Sequence, residues 1–200
     1  MSTASQFQPI SVRDYLVGER SAIRKHEYVE GVVYAMAGGT VQHSRSASNA
    51  TGTLHAQLRG HKCQTYNSDI KIRVRMSRGT RFYYPDISVV CQPNADRDSF
   101  HDAPVVIVEV ISESTRRIDE YEKREAYLSI DSLCVYVLVE QASAAVLVYR
   151  RGDSGFDRQV YTGRDAIIPL PEIECELALA ELYQNVEFVP IVTDDELDES

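Results

Sequence analysis

Glu109 is the residue whose position most needs explaining. It interrupts Val105-Val106-Ile107-Val108-Glu109-Val110-Ile111, a run that reads as a strand apolar on both faces and therefore inside a sheet. An ionised carboxylate there is costly unless a cation or several donors offset it. Residues 83–91 read as a second strand, with Pro85 near its beginning, where a missing N–H is tolerated. If the two strands form a hairpin centred in the polar loop 92–103, near residue 97 or 98, the register sets Asp86 opposite Glu109. Two carboxylates on one spot repel, and one pKa rises unless a divalent ion keeps both ionised. Mg²⁺, held by a couple of carboxylates, a carbonyl and waters, is the economical answer. The alternative is that Glu109 pairs with a Lys or Arg while Asp86 caps a turn after Pro85.

Two sources of positive charge lie close in sequence. Lys123 closes the run Asp119-Glu120-Tyr121-Glu122-Lys123 on the helix expected after the Glu109 strand, and a short connection folds that helix back beside the strand. The competing reading is an exposed Asp119–Lys123 pair four residues apart, worth only about 0.3–0.5 kcal/mol. Lys71, Arg73 and Arg75 alternate along a strand and so share one face. With Arg78 and Arg81 they make 70–82 basic with no intervening acid, which suits either a phosphate-facing strand or a solvated one.

The elements that must position these groups follow from pattern. Ser11 followed by Asp14 caps a short first helix. Residues 27–36 read as two strands meeting at Glu30-Gly31. Ala47, Ala50, Leu54 and Leu58 make one apolar stripe on a helix over 43–59 that Gly60 ends. Residues 64–74 read as one strand. Ser112, Ser114 and Thr115 offer caps for the helix carrying Ile118, Tyr121 and Leu128. Residues 134–140 and 145–150 read as a strand pair, 160–168 as an edge strand and 177–183 as a short helix. The layout predicts a mixed α/β fold with a partly antiparallel sheet.

Composition sets the outer limits. The 200 residues fit one core, expected over 10–185, and 44% hydrophobic with 26% charged residues is ordinary for a folded chain. No apolar run approaches the roughly 18–20 residues of a membrane helix, and the first residues lack the pattern of a secretory signal, so a cytoplasmic location is expected. Cys63, Cys91, Cys134 and Cys175 include no close pair, and all four are expected to be reduced, buried hydrophobes. The formal charge of −9 excludes a protein that coats nucleic acid through a net positive field. Five of those charges are Asp194, Asp195, Glu196, Asp198 and Glu199, in a tail (186–200) expected to be disordered, so the body can still carry a local basic face.

The string Tyr84-Pro85-Asp86-Ile87-Ser88-Val89-Val90, then Val106 through Thr115, Asp119, Lys123 and Tyr127, resembles the Uma-two endonuclease family, a branch of the PD-(D/E)XK nucleases. The similarity extends upstream to Tyr28–Met36 and His43 and downstream through Tyr136-Val137-Leu138-Val139. The resemblance implies a restriction-endonuclease-like mixed sheet flanked by helices, with additional antiparallel strands. It implies Mg²⁺ (or Mn²⁺) on Asp86, Glu109 and the Val110 carbonyl, and hydrolysis of DNA phosphodiesters. Lys71, Arg73 and Arg75 would then hold the DNA backbone, and superfamily habit suggests a homodimer. Glu30 matches an acidic position that would supply a further ligand or water contact, and His43 matches as well. Two positions depart from the pattern. The usual lysine two residues after the second acid is Ile111, which moves its role to Lys123, and a proline between Ser112 and Ser114 is Glu113. A nuclease-fold module that binds nucleic acid or a protein without cutting is the alternative.

Overall fold

The computed structural model describes residues 8–36, 38–112 and 116–188. Helix α1 (Val12–Glu19) begins where the Ser11 hydroxyl accepts the Asp14 N–H at 3.1 Å. Strands β1 (His26–Val29) and β2 (Val32–Ala35) form the expected hairpin, turning on Glu30 and Gly31 at φ 50° and 100°. A side chain at Gly31 would also bring its Cβ to 2.5 Å from that of Pro9. Helix α2 (Val41–Gln57) is capped by Thr40, whose hydroxyl accepts the His43 N–H.

Both long strands expected next are broken, and each break moves the chain between sheets. Residues 64–74 divide into β3 (Gln64–Asn67) and β4 (Lys71–Met76). Residues 83–91 divide around Tyr84-Pro85-Asp86 into the end of β5 (Gly79–Tyr83) and β6 (Ile87–Val90). With β7 (Phe100–His101), strands β4 and β5 join the hairpin in a five-stranded sheet ordered β2-β1-β5-β4-β7. A six-stranded sheet, β11-β10-β9-β8-β6-β3, contains β8 (Pro104–Ile111), β9 (Val135–Glu140), β10 (Ala145–Gly152) and β11 (Gly155–Thr162). Only β8 and β9 run parallel in it, which makes the sheet mixed, as expected.

Between β8 and β9 lie a π-helical turn (Ile118–Lys123) and helix α3 (Arg124–Leu128), which with the five-stranded sheet cover one face of the six-stranded sheet. Its other face packs on α2, on the small pair β12 (Ile167–Leu170) and β13 (Cys175–Ala178), and on α4 (Leu179–Leu182). The helix expected over 177–183 thus forms over 179–182, its first two residues closing β13. Val186 is buried and the Phe188 ring lies 5.2 Å from Tyr183, so packing continues past 185; 189–200, like Glu113, Ser114 and Thr115, fall outside the described residues.

The cysteine expectation fails for one pair. Residues 64 and 90 face each other across β3 and β6, and the next two outward, Cys63 and Cys91, are joined in a disulfide. Sequence spacing hid them because the strands that align them are non-local. Cys134 and Cys175 are free. Among the described residues no helix is long and apolar enough to cross a membrane.

Candidate active site

The register reasoned from the sequence is the observed one. Ile87 faces Val108 across β6 and β8, so the next pair along is Asp86 and Glu109. The Asp86 N–H donates to Glu109 Oε2 at 3.2 Å, and the Val110 N–H donates to Asp86 Oδ2 at 2.8 Å. Pro85, in the break before β6, has no N–H to offer a neighbouring strand, and the Val110 main chain is hydrogen-bonded to His43. His43, in the first turn of α2, places Nε2 3.1 Å from Asp86 Oδ2, and this contact raises its pKa against the opposing effect of burial.

Lys123 arrives from the π-helical turn. Its ammonium lies 3.3 Å from Glu109 Oε1, 3.4 Å from Asp119 Oδ1 and 3.1 Å from Glu27 Oε1. The Asp119–Lys123 pair is therefore a buried contact, with Lys123 only 7% exposed. Tyr127, one helical turn on, donates its hydroxyl to Glu109 Oε1 at 3.2 Å. Burial and the neighbouring Asp119 and Asp86 push the Glu109 pKa well up, although Lys123 pulls the other way. Burial disfavours the charge on Lys123, but Glu109, Glu27 and Asp119 together raise its pKa well above that of a free lysine.

Glu27 is the member of this cluster that sequence reasoning missed. Alternation on β1 sends Tyr28 toward α1 and Glu27 toward the cluster, where it also accepts the Tyr84 N–H at 3.4 Å. Nothing local distinguished it from Glu30, since the β1–β5 pairing that orients both joins segments some fifty residues apart. Glu30 itself is held in the hairpin turn by Arg81, at 3.0 and 2.8 Å, and is not brought to the cluster.

The basic strand is also directed elsewhere. Ile72 and Val74 of β4 join the core beside Tyr83 and Tyr127, so Lys71, Arg73 and Arg75 lie on the opposite face, as their alternation requires. Lys71 is buried and donates to the Tyr84 hydroxyl at 2.9 Å, which in turn donates to Glu19. Arg73 forms a two-pronged pair with Asp102, at 2.7 and 2.8 Å, over the Phe100 ring. Arg75 is the exposed member of the three, with its guanidinium 3.5 Å from Asp102.

Four carboxylates thus converge around one lysine and one histidine, an excess of negative charge that a hard dication would offset. Among the described residues no three His, Cys, Asp or Glu side chains already form a ligand cage. The donors present, two apposed carboxylates and the nearby Val110 carbonyl, nevertheless fit Mg²⁺, which commonly takes one or two carboxylates and keeps several waters.

A mixed sheet flanked by helices, with further antiparallel strands, is a restriction-endonuclease-like frame. The crystal structure of a "putative nuclease" from Anabaena variabilis shares this frame, with a TM-score of 0.70 over 88% of this chain and 98% of that one. At 17% identity that likeness concerns the fold. The chain belongs to the Uma2 family, described as "Putative restriction endonuclease", whose match spans residues 12–181. Two uncharacterized proteins of Synechocystis sp. are similar in sequence. One is 35% identical over 156 residues, 77% of this chain and 80% of the relative; the other is 26% identical over 145 residues, 71% and 81%.

Proposed function

We propose that the protein is a divalent-metal-dependent endonuclease that hydrolyses DNA phosphodiester bonds at the Asp86–Glu109 pair. The observation that carries this reading is the apposition of those carboxylates beside a buried, charged Lys123. Asp86, Glu109 and the Val110 carbonyl would hold Mg²⁺ or Mn²⁺, which supplies a water of lowered pKa and neutralises charge on the scissile phosphate. Lys123, fixed by three carboxylates, orients the attacking water or stabilises charge that develops on the phosphoryl oxygens. Tyr127 holds Glu109 Oε1, and His43 holds the Asp86 oxygen that also accepts from Val110. The absence of lysine at position 111 does not leave the site without its cation, because the following helix delivers one to the same carboxylate.

The test is nicking and linearisation of supercoiled plasmid with Mg²⁺ or Mn²⁺, with EDTA, and with Glu109→Gln and Lys123→Met in parallel. Metal-dependent cutting that disappears in Glu109→Gln and falls about 10²–10³-fold in Lys123→Met is expected. Cutting that survives Glu109→Gln removes the proposed centre. Mn²⁺ binding by calorimetry without cutting of duplex or single strands would instead indicate a binding module.

A further inference from the structure

The segment that delivers Lys123 is a π-helical turn, a rare conformation that needs a cause. In an α-helix, residues four apart drift about 40° around the axis, so 119, 123 and 127 would fan across roughly 80°. A π-turn advances fewer degrees per residue and reverses that drift over its length. Here Asp119 and Lys123 lie in the π-turn and Tyr127 in the α-helical turn that follows, and all three converge: Lys123 and Tyr127 on Glu109 Oε1, Asp119 on Lys123.

The turn is held from beneath. Tyr136, on β9 and fully buried, donates its hydroxyl to the main-chain carbonyl of Asp119 at 3.0 Å. Its ring stands between Tyr127 and Tyr149, at 5.4 and 6.3 Å, so the hydroxyl has a fixed origin. At the start of the segment Arg116 grips Glu140 through two bonds of 2.8 and 2.6 Å, and Glu122 accepts from the Tyr83 hydroxyl at 3.0 Å. Of these anchors, the Tyr136 hydroxyl alone bonds the backbone of the π-turn.

We infer that the π-turn 118–123 aligns Asp119, Lys123 and Tyr127 on Glu109, and that Tyr136 is the positioning residue that maintains it through the Asp119 carbonyl. The inference rests on the nuclease reading for its consequence, but its geometry can be tested separately. Without the hydroxyl, the turn relaxes toward α-helical winding and swings the Lys123 ammonium away from Glu109.

The chain has four lysines, and Lys71 is buried in a different network, so it serves as an internal control. Reductive methylation with formaldehyde and amine-borane, read by peptide mass spectrometry, should find Lys71 and Lys123 both protected in the wild-type protein. In Tyr136→Phe, labelling of Lys123 is expected to rise several-fold while Lys71 stays protected. Plasmid cutting should lose at least about tenfold in kcat with KM within about twofold. Tyr149→Phe, which removes a hydroxyl bonded to Arg124, should change neither. Removing the exposed Tyr121, which shortens the π-turn by one residue without touching the core, should expose Lys123 as Tyr136→Phe does, and it decides the matter if Tyr136→Phe does not fold. Continued protection of Lys123, or a parallel rise at Lys71 and Lys123, overturns the inference. If the wild-type protein cuts no nucleic acid, the function falls while the labelling still decides the role of Tyr136.

Discussion

Lys123→Met isolates the physics of the site. The substitution keeps a long, flexible apolar stem but leaves Glu27, Glu109 and Asp119, each within 3.1–3.4 Å of the lost ammonium, without it. Removing one partner of a buried ion cluster typically costs about 3–5 kcal/mol, because the groups left behind are uncompensated. For a chain of this size that corresponds to a fall in Tm of about 6–20 °C. The cost must depend on pH, and its direction is fixed. The pKa of Glu109 is already raised in the folded state, and losing Lys123 removes the neighbouring cation that lowers it and raises it further. A raised folded-state pKa favours folding at low pH and loses that contribution as pH rises above the unfolded value, so the variant suffers most near pH 8 and least near pH 5. Lys123 has a raised folded-state pKa, and its contribution to the wild type persists until pH approaches the ordinary lysine range. Urea unfolding followed by circular dichroism at pH 5 and pH 8 gives the comparison, with a midpoint shift of about 2 M expected at the higher pH. A variant within about 1 kcal/mol of wild type at pH 8 would refute the picture of Lys123 as the buried countercharge.

Three further outcomes are expected. Glu109→Gln should cost less stability than the roughly 3–5 kcal/mol of Lys123→Met, because Lys123 keeps Glu27 and Asp119 as partners and the amide oxygen can still accept from Tyr127; thermal melting checks this beside its lost cutting. Thiol titration of the denatured protein should find two free cysteines before reduction and four after, and reduction should lower stability by about 3–4 kcal/mol for a loop of this length. Arg73→Gln should lower stability by about 1.5–3 kcal/mol through loss of the Asp102 pair, yet leave the salt dependence of DNA binding unchanged, since a residue on phosphate would alter that slope by about one.

What was legible in the sequence was local. Hydrophobic pattern located β8, a polar loop fixed the centre of its pairing with β6, and the Asp86–Glu109 apposition followed from counting. Ser11 and the Glu30-Gly31 pair marked a cap and a turn for the same reason: their partners lie within a few residues. The misses at the site and the cysteines involve pairing at long range. Asn67-Ser68-Asp69 and Pro85 mark the places where the runs 64–74 and 83–91 break, but they do not say that the chain changes sheets there, because both halves of each run have strand character and only tertiary packing assigns them to different sheets. Glu27, the Cys63–Cys91 bridge and the burial of Lys71 all depend on those changes of sheet. The contrast between Lys71 and Lys123 makes the point at one residue type. Each stood in a charged stretch that local pattern would put at the surface, and each is buried because another part of the fold supplies its partner: Tyr84, in the break between β5 and β6, for the one, Glu109 and Glu27 for the other.

The two breaks also explain why the titratable groups gather where they do. Asp86 sits in the second crossing between sheets, Glu109 near the end of β8 in one sheet and Glu27 on β1 in the other, so the carboxylates gather at the seam. Lys123 bonds to both sides of that seam, and its neutralisation of Glu27 and Glu109 ties the sheets together at the place where their like charges would part them. A lysine at position 111 would lie on the same strand as Glu109, held by the six-stranded sheet alone. Ile111 instead fills the core beside Tyr127 and Tyr136, and those two tyrosines contact Glu109 and the turn that carries Lys123. Moving the cation from strand to helix therefore does more than relocate a charge. It makes the position of that charge depend on how the helix is wound and on the aromatic layer beneath it, so a tyrosine that does not touch the carboxylate cluster shapes its geometry.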